Sequence, residues 1–134
     1  MTTTIPVPSN PADLLGEPQR VVIPREGDRD LAFEGWLLSR AEERREGYLS
    51  TGVEVSIYLT KGKRFVTHVR RWRARQGEEP ESDHHAADHY SANSALAWLK
   101  DDDDGRLGPV SKRAWVEACS KWPDLGGQEV EFID

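Results

Sequence analysis

The sequence predicts an α+β fold: a small antiparallel β-sheet with two short helices packed on one of its faces. Three observations carry that prediction. The run "VEVSIYL" alternates apolar and polar residues with the period of a strand. A turn signal, "TKG", separates it from a second strand-like run, "FVTHVRRW". Further along, Trp115, Cys119 and Trp122 recur at helical spacing. Strands first and helices afterwards is the order of an α+β domain, whereas a parallel sheet would alternate the two.

Taken in chain order, residues 1–27 read as a Pro-rich arm, extended or disordered. Pro6, Pro8, Pro11, Pro18 and Pro24 each remove a backbone donor and restrict the residue before them. Only "ADLLGE" has the composition for a turn of helix, with Leu14 and Leu15 to dock it. Residues 28–134 are then a single domain. In "LAFEGWLLSR", Leu31, Phe33 and Leu37 fall on one face and Trp36 and Leu38 on the other, as in a strand covered on both sides. "AEERREGYLSTG" is charged and ends in Gly52, which fits an exposed turn or a strand extension.

Val53, Val55, Ile57 and Leu59 face inward, and Glu54, Ser56 and Tyr58 outward. A three-residue loop Thr60-Lys61-Gly62, with the positive φ at Gly62, pairs Ile57 with Phe65, Val55 with Thr67 and Val53 with Val69. Slipping by one residue would bury Arg64 and His68, so the pattern selects the faces. The meander thus spans residues 31–73.

"QGEEPESD" is a polar loop, and "HHAADHY" supplies a fourth strand near 85–91. Asn93 or Ser94 caps a short helix, "ALAWLK", with Ala95, Trp98 and Leu99 on one stripe. The acids Asp101 to Asp104 oppose the helix dipole and, with Gly105, end it. A second helix starts near Ser111 and is stopped by Pro123. "EVEFID" is a short strand or apolar tail; such a strand can add to a sheet edge in its own chain or in a neighbour, which would make a homo-oligomer.

Composition narrows the function. The chain has 134 residues, one domain's worth, and a net charge of −6, which weighs against generic binding to nucleic acid or acidic membranes. Cys119 is the only cysteine, so neither an intramolecular disulfide nor a cysteine zinc site is available. "MTTTIPVPSN" has no secretory pattern and no stretch is apolar over the ~20 residues of a membrane span, so the expectation is a cytoplasmic protein with no membrane partner.

The segments "FEGWLLSR", "SIYLTKGKRFVTHVRRW", "HYSANSALAWLKDD" and the terminal "EVEFID" together resemble the small actinobacterial proteins called the EXLDI family, over Leu31 to Asp134. The resemblance implies this fold and a bacterial host, and implies no activity.

One strip stands out against the acidic background. "KRFVTHVRRWRAR" holds six basic residues in thirteen positions. The hairpin's outward face presents Tyr58, Arg64, Val66, His68, Arg70 and Trp72. Basic side chains interleaved with aromatics are what single-stranded nucleic acid binding uses, guanidinium groups on phosphates and rings on bases. The competing reading is an acidic protein partner, or the molecule's own acidic loops at 78–83 and 101–104 folded back onto the strip. The net charge favours a protein partner over nucleic acid.

A second cluster, "SDHHAADH", offers His84, His85 and His89 with Asp83 and Asp88, a donor set able to hold zinc and, with it, to act as a metal-dependent hydrolase. The glutamate of H-E-x-x-H is absent. On a strand His85 and His89 would stand about 13 Å apart, so a solvated segment is the better expectation. "DDDDG" is no calcium loop of the EF-hand type, because Lys100 and Ser111 occupy the first and twelfth ligand positions. With no nucleophile elbow, phosphate loop or dinucleotide fingerprint, and with Cys119 on an apolar helical stripe, the sequence points to a non-catalytic binding protein without a cofactor.

Overall fold

The computed structural model describes residues 11–126, and the terminal "EVEFID" lies outside them. Among the described residues, five antiparallel strands run in sequence order across one sheet: β1 (Gln19–Ile23), β2 (Leu31–Arg45), β3 (Leu49–Thr60), β4 (Phe65–Arg75) and β5 (Glu81–His89). Helices α2 (Ala92–Asp102) and α3 (Pro109–Lys121) cover one face, with two short turns, α1 (Pro11–Leu15) and α4 (Pro123–Gly126), at its margins. This is the α+β architecture expected.

Two elements lie where an arm was expected. Pro18 and Pro24 bracket β1 rather than forbid it: the strand fits between them, and as an edge strand it tolerates such flanks. Val21 and Ile23 alternate onto the face away from the helices, packing with Phe33, Tyr58 and Val66. α1 is held by Leu15 on the core and by the Trp36 indole, which donates to the Gly16 carbonyl at 2.9 Å. The domain therefore begins within the described residues well before residue 28.

The central hairpin keeps the expected faces in a different register. Leu59 pairs with Phe65, Ile57 with Thr67 and Val55 with Val69. The loop is Lys61-Gly62-Lys63, and the positive φ belongs to Lys63 (62°), not Gly62. Thr60 explains the shift. Its N–H donates to Arg64 O, its carbonyl accepts from Lys63 N–H, and its hydroxyl accepts from Arg64 N–H, so it closes the loop just beyond the last ladder pair, Leu59 with Phe65. Moving the loop by one residue moves the pairing by two, which preserves every face.

A bulge between Leu37 and Ser39 reverses the parity of β2 partway along. Leu31, Phe33 and Leu37 lie on the face away from the helices and Trp36 and Leu38 on the helix side; past the bulge, Arg40, Glu42 and Arg44 take the open face. Fully buried Leu38, Val55, Ile57 and Leu59 meet Ala95, Leu99, Ala114, Trp115 and Ala118 from the helices, each large side chain contributing about 1.5–3 kcal/mol by leaving water. Trp98 and Cys119 are only half-buried at the rim of this core.

Helix boundaries also differ in instructive ways. Ser91, not Asn93 or Ser94, caps α2: its Oγ accepts from Ser94 N–H at 3.1 Å. Pro109 opens α3 two residues before Ser111, where its missing N–H costs nothing. α2 runs through Asp101 and Asp102 despite the dipole, because Arg71 lies 2.8 Å from the Asp102 carboxylate. β5 starts at Glu81, earlier than expected.

The sheet curls. The β1–β2 loop reaches across the face away from the helices, and Glu26 N–H donates to the His84 carbonyl on β5 at 2.9 Å. The face read from sequence as outward is thus the concave inside of that curl over much of its length. No helix among the described residues is long and apolar enough to cross a membrane.

A candidate binding face

Cross-strand register arranges the concave face in rows. Nearest the closed end, Leu37, Tyr58, Val66 and Asp88 lie abreast; then come Arg40, Ser56, His68 and Ala86; then Glu42, Glu54, Arg70 and His84; and at the open end Arg44, Gly52, Trp72 and Ser82. Buried Tyr58 and Val66 fill the closed end, and the rows beyond it are mostly polar.

The five residues singled out in the sequence share this face, but the curl divides them. Tyr58 is buried edge-on to Phe33 at 5.4 Å, and its hydroxyl accepts from Arg40 Nη2 at 3.3 Å. His68 is buried too, so neither is the exposed contact expected; the closing of β1 and its loop over the sheet is the reason. Arg64 sits at the far end of β4, ion-paired with Asp88, its guanidinium 4.0 Å from the centre of the exposed Tyr90 ring. Arg70 and Trp72 remain together at the open end.

His68 Nε2 lies 2.9 Å from His84 Nδ1, with the rings stacked at 5.2 Å. Burial, then the neighbouring His84, Arg40 and Arg70, push the His68 pKa down to about 4. It is therefore neutral at physiological pH, a polar strut rather than a phosphate contact.

Most of the basic strip is neutralised internally. Arg40 approaches Glu54 at 3.7 Å and Ser56 at 3.2 Å; Arg44 pairs with Glu42 at 2.9 Å, Arg73 with Glu81 at 2.9 Å and Arg71 with Asp102. Glu54 stands opposite Arg70, where the expected register had put His68. Arg70 itself donates to the Ser82 hydroxyl at 3.2 Å and rests 5.0 Å from the Trp72 ring, which Arg44 also approaches at 5.4 Å. Gly52 sits beneath that ring: a Cβ there would overlap the indole, so the glycine lets Trp72 lie flat on β3.

The three histidines of the proposed metal set do not converge. His84 faces the concave side, paired across from Arg70, while His85 and His89 face the helices, paired with Val69 and Phe65. His89 is buried between the Thr67 hydroxyl (2.8 Å) and that of Ser94 (3.3 Å), and burial lowers its pKa. Among the described residues no three His, Cys, Asp or Glu side chains are placed to hold a metal ion.

Sequence reading missed Arg40, because counting parity from Leu31 places it on the helix side and the bulge moves it. It placed Ser56 on this face but not its contact with Arg40, and it missed Ser82 and the role of His84, which only the true register brings beside Arg70 and His68. The signal for Gly52 was present, a glycine just before a clean strand, but its partner Trp72 is distant in sequence. No protein-family model matches the chain, and comparison with curated proteins and with solved structures finds no match to either.

Proposed function

We propose that this is a non-catalytic binding protein that engages a protein partner through the Arg70–Trp72 end of the concave face. One observation carries the reading. Arg70 is the guanidinium on that face with no carboxylate partner among the described residues, and it is held in place by Ser82 and the Trp72 ring. A fixed guanidinium beside an indole is the kind of anchor that dominates protein interfaces, and an acidic side chain would give it a charge-assisted, two-point bond. The internal pairing of Arg40, Arg44, Arg64, Arg71 and Arg73 weighs against the nucleic-acid alternative, since phosphates would compete with carboxylates already in place. The dispersal of His84, His85 and His89 weighs likewise against a hydrolase. The lone thiol of Cys119 is compatible with a reducing, cytoplasmic setting. The resemblance to the EXLDI proteins adds to the fold and leaves the partner to be found.

The test is affinity capture from the native host, followed by titration of the purified partner against wild type and the Arg70→Ala/Trp72→Ala variant. A loss of about 30-fold or more is expected for a contact of this kind. An unchanged affinity would sink this face as the site. Salt-dependent binding of labelled single-stranded RNA or DNA that disappears in the same variant would replace the protein partner with nucleic acid.

A further inference from the structure

A second concavity lies at the edge of β5; it includes His84, which pairs across from Arg70, but neither Arg70 nor Trp72. It is a cleft of about 380 Å³ between the β1–β2 loop, β5 and the end of α2. Its one cation, Arg25, is already engaged, 3.5 Å from Asp28 and donating to the Arg29 carbonyl at 2.7 Å. Asp102 is engaged as well: its side chain, only 9% exposed, lies 2.8 Å from Arg71 and 3.0 Å from His85 Nδ1.

That last contact fixes the chemistry His85 offers. The Asp102 carboxylate accepts a proton carried on Nδ1, so in the neutral ring Nε2 of the half-exposed imidazole is the lone-pair acceptor. Of the remaining lining groups, Ala86 is apolar and His84 is engaged with His68 at 2.9 Å. The carboxylates of Glu26 and Asp101 have no partner among the described residues, and the half-buried Trp98 adds an aromatic wall. Glu26 is held beside β5 by its own backbone bond to His84. The cleft therefore presents acceptors and an aromatic side chain and, among the described residues, no unengaged lysine or arginine. Carboxylates alone would not single out this place, since Asp103 and Asp104 follow in the open; the pinned imidazole and the indole do.

We propose that this cleft recognises an organic cation, a primary ammonium or a guanidinium group. Such a group satisfies the acceptors with its N–H donors and gains from the indole face, an interaction on the order of 0.5–2 kcal/mol depending on desolvation. A hard inorganic ion fits less well, because no three ligating side chains converge among the described residues. The ammonium or guanidinium can belong to a lysine or arginine of a protein or to a free amine. The site contains neither Arg70 nor Trp72, so it can be tested separately from that face.

The experiment is a titration of the full chain followed by amide and indole N–H resonances. The probes are N-acetyl-lysine amide, N-acetyl-arginine amide, spermidine, the side-chain-acetylated lysine derivative as a neutral twin, and magnesium chloride. Saturable millimolar binding of the cationic probes, with the Trp98 indole resonance shifting, is expected. The Glu26→Gln/Asp101→Asn variant should weaken it at least five-fold, and His85→Gln should weaken it without loss of the folded spectrum. Equal binding of the neutral twin, an equal response to magnesium, no saturation, or wild-type affinity in the double variant would overturn the proposal. Tighter binding of spermidine would identify a free amine as the source, and tighter binding of the amino-acid amides a side chain; both retain the cation. The Arg70→Ala/Trp72→Ala variant should titrate like wild type, so the cleft can bind its cation even where the protein-partner reading fails.

Discussion

His68 and His84 meet ring to ring on the concave face, Nε2 to Nδ1 at 2.9 Å, with Arg40 and Arg70 beside them. Protonating His68 would place charge beside Arg40 and Arg70, in a site that burial has already made poor in water.

The consequence is a pH dependence of stability with a definite sign. His68 has a folded pKa of about 4 against 6.5 when unfolded. Above pH ~6.5 its contribution is complete, and it is lost as pH falls through 4, because the unfolded chain binds the proton more readily. Chemical denaturation between pH 7 and 4 should show a decline on the order of 1–2 kcal/mol, discounted for solvent at the ring edge, beyond that of His68→Gln. Identical pH profiles for wild type and variant would refute it.

Gly52 and Trp72 form a pair that a double-mutant cycle can read. Gly52→Ala should cost about 1–3 kcal/mol, because the added methyl collides with the indole. In a Trp72→Ala background the same change should be neutral or slightly stabilising, since alanine restricts the unfolded chain more than glycine does. Additive effects in thermal unfolding would show that the ring does not rest there.

Asp102 ties the end of α2 to β4 and β5 through Arg71 and His85. Asp102→Ala should destabilise by about 1–2 kcal/mol, moderate because both partners are half-exposed and can rehydrate. Arg71→Ala combined with it should cost little more than either alone. Full additivity would mean the two side chains act separately.

Ser39 Oγ is fully buried beside the β2 bulge and meets no hydrogen-bond partner among the described residues. Ser39→Ala should be neutral or stabilising by up to about 1 kcal/mol, because it removes an unpaired polar group at no cost in packing. A loss of more than about 1 kcal/mol in urea denaturation would show that the hydroxyl is bonded.

Local pattern carried much of this fold. Alternation at Val53 to Leu59 placed β3 and its faces, and the spacing of Trp115 placed α3. What escaped was set by contacts between segments distant in the chain. β1 is five residues between prolines and becomes a strand only because β2 offers an edge. The hairpin loop settled at Lys61 to Lys63 through hydrogen bonds to Thr60, which a glycine rule does not weigh. The candidate face was half legible: Arg70 and Trp72 were found together, yet burial of Tyr58 and His68 depends on β1 and the loop after it closing over the sheet. Arg40 needed the bulge.

The bond from Glu26 to His84 has a meaning for synthesis as well as for shape. The chain emerges N-terminal end first, at ~5–20 residues per second, so a clasp across roughly 60 positions waits several seconds for its partner. During that interval Val21, Ile23 and Phe33 have nothing to cover them, because Tyr58 and Val66 are still to be made. Pro18 and Pro24 keep the waiting strand short and deny a passing chain two of the donors it would need to extend it.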